Sequence, residues 1–93
     1  VHNTPEIRVE CPDDIKFEVV RRARAHYEAR YPVIAVDGAR IRFPDGWGLL
    51  RASNTGPVLV LRCEAGSPVR LAEIRADIES TLATIKASLS REE

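Results

Sequence analysis

The sequence predicts an α+β fold: a two-layer sandwich in which an antiparallel sheet of four to five strands carries two helices on one face. Three observations lead there. Two stretches, one early and one C-terminal, place apolar residues at helical spacing. Between them run short apolar or alternating segments separated by turns rich in Gly, Pro and Asp. The 93 residues, 44% of them hydrophobic, suffice for one domain with a modest core. Two amphipathic helices must bury their stripes, and one face of an antiparallel sheet offers the room.

Taken in order, Glu6 to Cys11 alternates, with Ile7, Val9 and Cys11 on one side and Glu6, Arg8 and Glu10 on the other; this is a half-buried strand. Pro12-Asp13-Asp14 reads as a helix start, with proline at or near the first helical position and acids in the first turn. The helix should run to about Tyr31, its stripe built from Phe17, Val20, Tyr27 and Tyr31 and widened by Val19 and Ala23, and Pro32 should stop it. Val33 to Val36 is a short strand, Asp37-Gly38 a hairpin-turn signal, and Arg40 to Phe43 a strand with Ile41 and Phe43 inward. After the turn at Pro44-Asp45-Gly46, Trp47 to Ala52 and Val58 to Glu64 are apolar on nearly every residue. That marks central strands but hides which face is inward. Ala65-Gly66-Ser67-Pro68 breaks the pattern and caps a last helix striped by Leu71, Ile74, Ile78, Leu82, Ile85 and Leu89. Glu73, Arg75, Asp77, Glu79 and Lys86 fill its wet side.

Composition excludes several functions. With 14 basic and 14 acidic residues the net charge is zero, so nothing draws the whole molecule to nucleic acid or to an anionic membrane. No apolar run is long enough to span a bilayer, and no signal peptide opens the chain. It begins at Val1-His2-Asn3 without a methionine, as a piece of a longer protein would. Cys11 and Cys63 lack metal-site spacing and sit in apolar stretches, which suits buried free thiols in a reducing cytoplasm; a disulfide would need their strands to be neighbours. His2 and His26 are isolated. No nucleophile stands beside a base, and no phosphate loop with a lysine or Asp-rich metal site occurs, so no residue is assigned a catalytic or metal-binding role.

Recognition chemistry gathers instead at Arg51-Ala52-Ser53-Asn54-Thr55-Gly56-Pro57, between the two apolar strands. The turn offers a guanidinium, two hydroxyls and a carboxamide, all hydrogen-bond donors, and no acid. Gly56 could take a positive φ and let an oxyanion approach the backbone, and Pro57 stiffens the exit. Such a turn suits a phosphate group. The same residue types are also ordinary turn formers, for local reasons. A rival site is the basic face of the first helix, Arg21, Arg22, Arg24 and Arg30, which would serve a nucleic-acid-binding module. Glu18 and Glu28 dilute that charge, and the interleaved aromatics and glycines of a nucleic-acid sheet surface are missing. A third reading is a protein-interaction domain whose turn is only a turn.

The stretch Asp45-Gly46-Trp47-Gly48-Leu49-Leu50-Arg51-Ala52-Ser53-Asn54-Thr55-Gly56-Pro57 resembles the C-terminal-domain signature of the α-D-phosphohexomutases, the bacterial phosphomannomutase/phosphoglucomutases in particular. Arg51, Ser53, Asn54, Thr55 and Pro57 match the pattern, and Gly56 stands at its variable place. The likeness extends through Thr4-Pro5-Glu6-Ile7, Lys16-Phe17 and Asp37-Gly38. It implies a TATA-binding-protein-like fold for residues 6–90, with 1–5 a linker remnant on which domain closure hinges and 91–93 a tail. It implies a cytoplasmic four-domain isomerase that interconverts hexose 6-phosphate and hexose 1-phosphate through a hexose 1,6-bisphosphate. Its phosphoserine, its Mg2+ and a sugar-contacting loop would lie in the missing N-terminal domains, the partners of this one. The last domain would grip the phosphate that is not being transferred. Arg51 would make a bidentate contact, Ser53 and Thr55 would donate hydroxyls, Asn54 an amide or backbone N–H, and Gly56 would complete the turn. Arg62 would lie near the base of the hairpin, either supporting the grip or as a solvated strand residue.

Overall fold

The computed structural model describes residues 2–35 and 37–92, the last without its side chain. The elements follow in the order β1 (His2–Asn3), β2 (Ile7–Glu10), α1 (Lys16–Glu28), β3 (Val33–Ile34), β4 (Ala39–Phe43), β5 (Gly46–Ala52), β6 (Val58–Ala65) and α2 (Pro68–Glu92). One antiparallel sheet runs β1-β6-β5-β4-β3, with β2 also paired to β6. The sheet holds six strands among the described residues because its N-terminal edge is split. β1 pairs with Glu64 and Ala65, and β2 with Val58 to Leu61. Thr4 spans the break, its N–H bonding the Cys63 carbonyl at 2.9 Å and its hydroxyl accepting from the Cys63 N–H at 3.0 Å. The α+β sandwich of the sequence reading is therefore present, with His2–Asn3 docked on β6.

Both helices cover the same face. The buried core draws on Val19, Ala23 and Tyr27 of α1 and on Ile74, Ile78 and Leu82 of α2. Beneath them lie Ile41, Leu50, Leu59, Leu61 and Cys63. Ser67 caps α2, its Oγ accepting from the Arg70 N–H at 3.1 Å, and Pro68 takes the first helical position.

Helix α1 is shorter than the expected span from Pro12 to Tyr31. Asp13, Asp14 and Ile15 form a turn, with the Ile15 N–H on the Pro12 carbonyl at 3.1 Å. At the other end, Arg30 and Tyr31 both donate to the Tyr27 carbonyl and close the helix before Pro32. The buried stripe is Lys16, Val19, Ala23 and Tyr27; Phe17 is 61% exposed. Tyr31 still packs, its ring 4.8 Å from that of Phe43. Strand β3 likewise ends at Ile34 rather than at Val36, which lies outside the described residues, as do Val1 of the linker and Glu93 of the tail. Asp77, placed on the wet side of the last helix, in fact accepts the Tyr27 hydroxyl, which burial and that carboxylate together hold in its protonated form well above the usual range.

The inward faces of the central strands are set by two glycines. Gly46, Gly48 and Leu50 alternate toward the helices, so Trp47, Leu49 and Arg51 face the open side of the sheet. A Cβ on Gly48 would meet Ile78 Cδ1 at 2.4 Å. One on Gly46 would meet Ile74 Cδ1 at 2.8 Å and the Glu64 carbonyl oxygen at 2.3 Å. The isoleucines of α2 thus seat directly on the backbone of β5. Gly46→Ala should cost about 1–3 kcal/mol, as overpacking does. Gly66→Ala, whose added methyl would meet nothing within 4 Å, should stay within about 0.5 kcal/mol of the parent. Urea melts at unchanged m-value will separate the two.

Candidate functional site

Strands β5 and β6 form a hairpin in which Arg51 opposes Val60 and Ala52 opposes Leu59, leaving residues 53–57 as its tip. The Ser53 N–H closes the tip on the Val58 carbonyl at 2.9 Å. Ser53 is only 7% exposed, and its Oγ accepts the Thr55 N–H at 3.2 Å while lying 3.4 Å from Thr55 Oγ1. This is a serine turn: the side chain replaces a backbone acceptor and folds the loop on itself. The Ser53 hydroxyl, expected to face a ligand, is thus committed in part to shaping the loop, while Asn54 and Thr55 are exposed.

Three contacts from outside the hairpin hold the tip. The Cys11 N–H, where β2 ends, donates to the Pro57 carbonyl at 2.9 Å. Lys16, at the start of α1, donates from Nζ to the Gly56 carbonyl at 2.9 Å. The loop before β4 presses in from the other side, where a Cβ on Gly38 would fall 2.3 Å from the Leu50 carbonyl oxygen and 2.9 Å from Arg51 Cβ. Gly38 has φ 119° and Asp37 φ 53°, so this approach needs the glycine twice, for space and for backbone shape. Gly56, by contrast, does not take the positive φ expected of it, since Gly38 is the glycine that does. The Gly56 Cβ position opens on empty space.

Arg51 is half-buried at the base of the tip and stands between two cavities. One, of about 140 Å³, it shares with Asn54, Phe17, Val20, Asp37 and Gly38. The other, of about 170 Å³, it shares with Leu49, Val60, Arg62 and Glu6. Ser53, Thr55 and Gly56 line neither. Most arginines here are paired: Arg8 and Arg62 approach Glu6 at 3.6 and 3.8 Å, and Arg70 holds Asp45 at 2.7 Å. Among the described residues no carboxylate forms an ion pair with Arg51, whose five N–H donors stay available to an anion. Arg62 lies beside Arg51 on the open face, exposed and loosely tied to Glu6, which fits both roles the sequence left open for it.

Lys16, Phe17 and Asp37 were not among the residues singled out as a site, although all three stand in the matched motifs. Phe17 and Asp37 share a cavity with Arg51 and Lys16 reaches the Gly56 carbonyl, placements that depend on where α1 starts and on the loop before β4, which periodicity does not reveal. Asp37 also brings a carboxylate to the edge of a site whose own turn has none.

The rival basic face of α1 is partly neutralised by its own acids. Glu18 accepts from Arg21 at 2.5 and 2.7 Å and from Arg22 at 2.8 Å, and these bonds, Arg21's first, pull its carboxyl down to about 2. Arg24 leans toward Glu28 at 3.9 Å. A wider groove of about 610 Å³, lined by Ile34, Arg40, Arg42 and Trp47 among others, lies at the far end of the open face and holds none of the expected residues. Among the described residues no group of three or more His, Cys, Asp or Glu could hold a metal ion, and no helix is long and apolar enough to cross a membrane.

Fold and tip together define a small α+β domain, with helices on one face of the sheet and a donor-rich hairpin end. Comparison with known proteins identifies it further. Residues 6–81 match the family described as "Phosphoglucomutase/phosphomannomutase, C-terminal domain", and the chain belongs to that family. It is 38% identical over 88 residues to a phosphomannomutase/phosphoglucomutase of Pseudomonas aeruginosa, covering 94% of this chain and 19% of that protein. It is 41% identical over 76 residues to a phosphoglucomutase of Neisseria gonorrhoeae, covering 78% and 16%. A crystal structure of a phosphoglucomutase/phosphomannomutase family protein from Burkholderia thailandensis superposes with a TM-score of 0.73 at 37% identity, over 91% of this chain and 18% of that one. The chain therefore spans about a fifth of the length of the relatives it matches. The nucleic-acid and protein-interaction readings gain no support from these matches.

Cys11 and Cys63 are free and buried, and both thiols are raised by burial, Cys63 up to about 11. A raised value means that the folded chain keeps a proton which the unfolded chain gives up near pH 9. The stability this contributes is complete below about pH 9 and is lost as pH climbs toward 11. Urea midpoints should therefore fall more steeply between pH 8.5 and 10.5 in the parent than in Cys63→Ala, and parallel slopes would contradict it. Ellman's reagent at pH 8 should leave both thiols unmodified until urea is added.

Proposed function

We propose that the tip of the β5–β6 hairpin grips the phosphate of a phosphorylated hexose, and that the chain does this as the last domain of a longer phosphohexomutase. That enzyme interconverts hexose 6-phosphate and hexose 1-phosphate. The observation carrying the reading is an arginine without an acidic partner at the base of a turn built from hydrogen-bond donors and fastened from outside, in a chain of this family. Arg51 supplies a flat fork that matches two phosphate oxygens. Asn54 faces the same cavity, Thr55 offers an exposed hydroxyl, and Ser53 shapes the loop. Gly56, with open space beside it, lets the anion come close to the backbone. Arg62 adds positive charge on the neighbouring strand.

In this reading the tip takes an anion: a guanidinium stands at its base and the turn itself carries no carboxylate, a poor setting for Mg2+. On the same reading the ion implied for the longer enzyme, like the phosphoryl-transferring serine, belongs to other domains; the folded unit is wider than residues 6–90, since His2–Asn3 of the expected linker pairs with β6 and α2 runs to Glu92. The two bonds between Thr4 and Cys63 fasten that link to β6, so a hinge there opens only by breaking them. The reading places the enzyme in the cytoplasm, where hexose phosphates are made and used.

Titrating glucose 1-phosphate into isotopically labelled protein tests the grip. About three charge-assisted contacts at an open turn, set against an association cost of at least about 4 kcal/mol, leave a Kd of order millimolar. Amide shifts should concentrate at residues 51–56 and weaken with added salt. Shifts confined to Arg21–Arg30 would move the site to the helix. In the full-length enzyme, Arg51→Ala should lower kcat/KM roughly 10- to 150-fold, the loss of a charged hydrogen bond worth about 1.5–3 kcal/mol, with Arg51→Lys restoring part of it. Full activity of Arg51→Ala would refute the assignment. The 93-residue chain alone should show no mutase turnover.

A further inference from the structure

Lys16 is a poor choice for its position on local grounds. It is the first residue of α1, where the helix dipole disfavours a cation, and it is only 5% exposed, where an ammonium loses its hydration. Two contacts compensate: Asp13 Oδ1 at 2.7 Å and the Gly56 carbonyl oxygen at 2.9 Å. The first balances its charge. The second joins residues 40 positions apart and reaches the hairpin tip itself.

The Gly56 carbonyl also accepts the Val58 N–H at 2.9 Å. Two donors thus fix its orientation, and both lone pairs are committed. An unrestrained carbonyl beside an anion site is a hazard, because its oxygen repels phosphate when the peptide rotates inward. Gly56 is the residue of the tip with the freest backbone, and Pro57 after it offers no N–H of its own.

We infer that Lys16 is a positioning residue of the phosphate grip: its buried ammonium pins the Gly56 carbonyl away from the anion and keeps the donors of the tip turned toward it. The inference rests on the reading of the hairpin tip given above. Lys16 touches no phosphate oxygen in this role. Its charge is spent on Asp13, and its effect passes through the peptide it holds. A hydrophobic residue of similar length would fill the same space and leave the carbonyl held by Val58 alone.

The test compares the wild-type chain with Lys16→Met and Lys16→Arg, titrating each with glucose 1-phosphate and following amide shifts at 0.05 and 0.3 M NaCl. Lys16→Met should bind at least threefold more weakly with an unchanged dependence on salt, and Lys16→Arg should recover most of the affinity. Equal affinity of Lys16→Met and wild type overturns the inference and leaves the grip intact. A flattened salt dependence in Lys16→Met also overturns it, since the ammonium would then act on the anion as a charge. Failure of the wild type itself to bind at residues 51–56 removes the grip and the inference together. Where Lys16→Met does not fold, the coupling is read in the wild type. A ligand that requires the pinned tip must slow exchange of the Lys16 Nζ protons with water as it saturates, by reciprocity of coupled equilibria. Exchange unchanged at saturation overturns the inference.

Discussion

In the pairing of β5 with β6, Leu50 lies opposite Leu61 and Arg51 opposite Val60. This register decides which side of the sheet every functional side chain occupies. A slip by one residue would turn Arg51 into the core and Leu50 out to solvent. What forbids the slip is the seating of α2 on β5. Ile74 and Ile78 occupy space that exists only because positions 46 and 48 carry no side chain. Shifted by one, Trp47 and Leu49 would face those isoleucines. The glycines therefore weaken β5 as an isolated strand yet specify its register once the helix has docked, and a defined register puts the guanidinium on the open face beside the hairpin tip.

The tip gains its rigidity from segments distant in sequence. The end of β2, the first residue of α1 and the loop before β4 each touch it, at Pro57, Gly56 and Arg51 respectively. A five-residue loop with only its internal serine turn would sample several shapes, and ordering it on binding would subtract from affinity. Here that entropy is lost during folding. The shape of the tip is consequently a property of the whole domain, although the residues proposed to meet the ligand are contiguous.

How much of this the sequence shows depends on the range of the interaction. Alternation at Glu6–Cys11 and at Arg40–Phe43, the stripe from Leu71 to Leu89 and the motif from Arg51 to Pro57 are all local, and all are legible. The extent of α1 was not, because Phe17 and Tyr31 extend a helical pattern while the chain folds Asp13–Ile15 and Arg30–Tyr31 into turns. The buried lysine at position 16 answers to a carbonyl 40 residues away, which the apolar pattern through Phe17 does not reveal. The inward face of β5 was hidden for a related reason. Trp47, Leu49 and Leu50 are all apolar and do not separate the faces, and the core side belongs to Leu50 together with Gly46 and Gly48, two glycines with no side chain to register on any scale. Gly56 was credited with a backbone freedom that Gly38 uses. Both lie in turns beside Arg51, and composition does not separate them.

A grip on a turn, remote from bond making, suits a substrate that must be held by either end. In such a reaction the recognised group is a phosphate whichever carbon bears it, and what differs is the sugar beyond. On the proposed reading, an arginine fork and small donors at the tip of a hairpin read the shared group and make few demands on the rest. A deep pocket around the ring would favour one orientation and oppose the other, and the cavities beside Arg51 are shallow, about 140 and 170 Å³. What the proposed grip requires of the domain is a fixed anion site at the end of a stiff lever. The β5–β6 hairpin, clamped by α2 along its length and by Lys16 and Cys11 at its tip, has that construction.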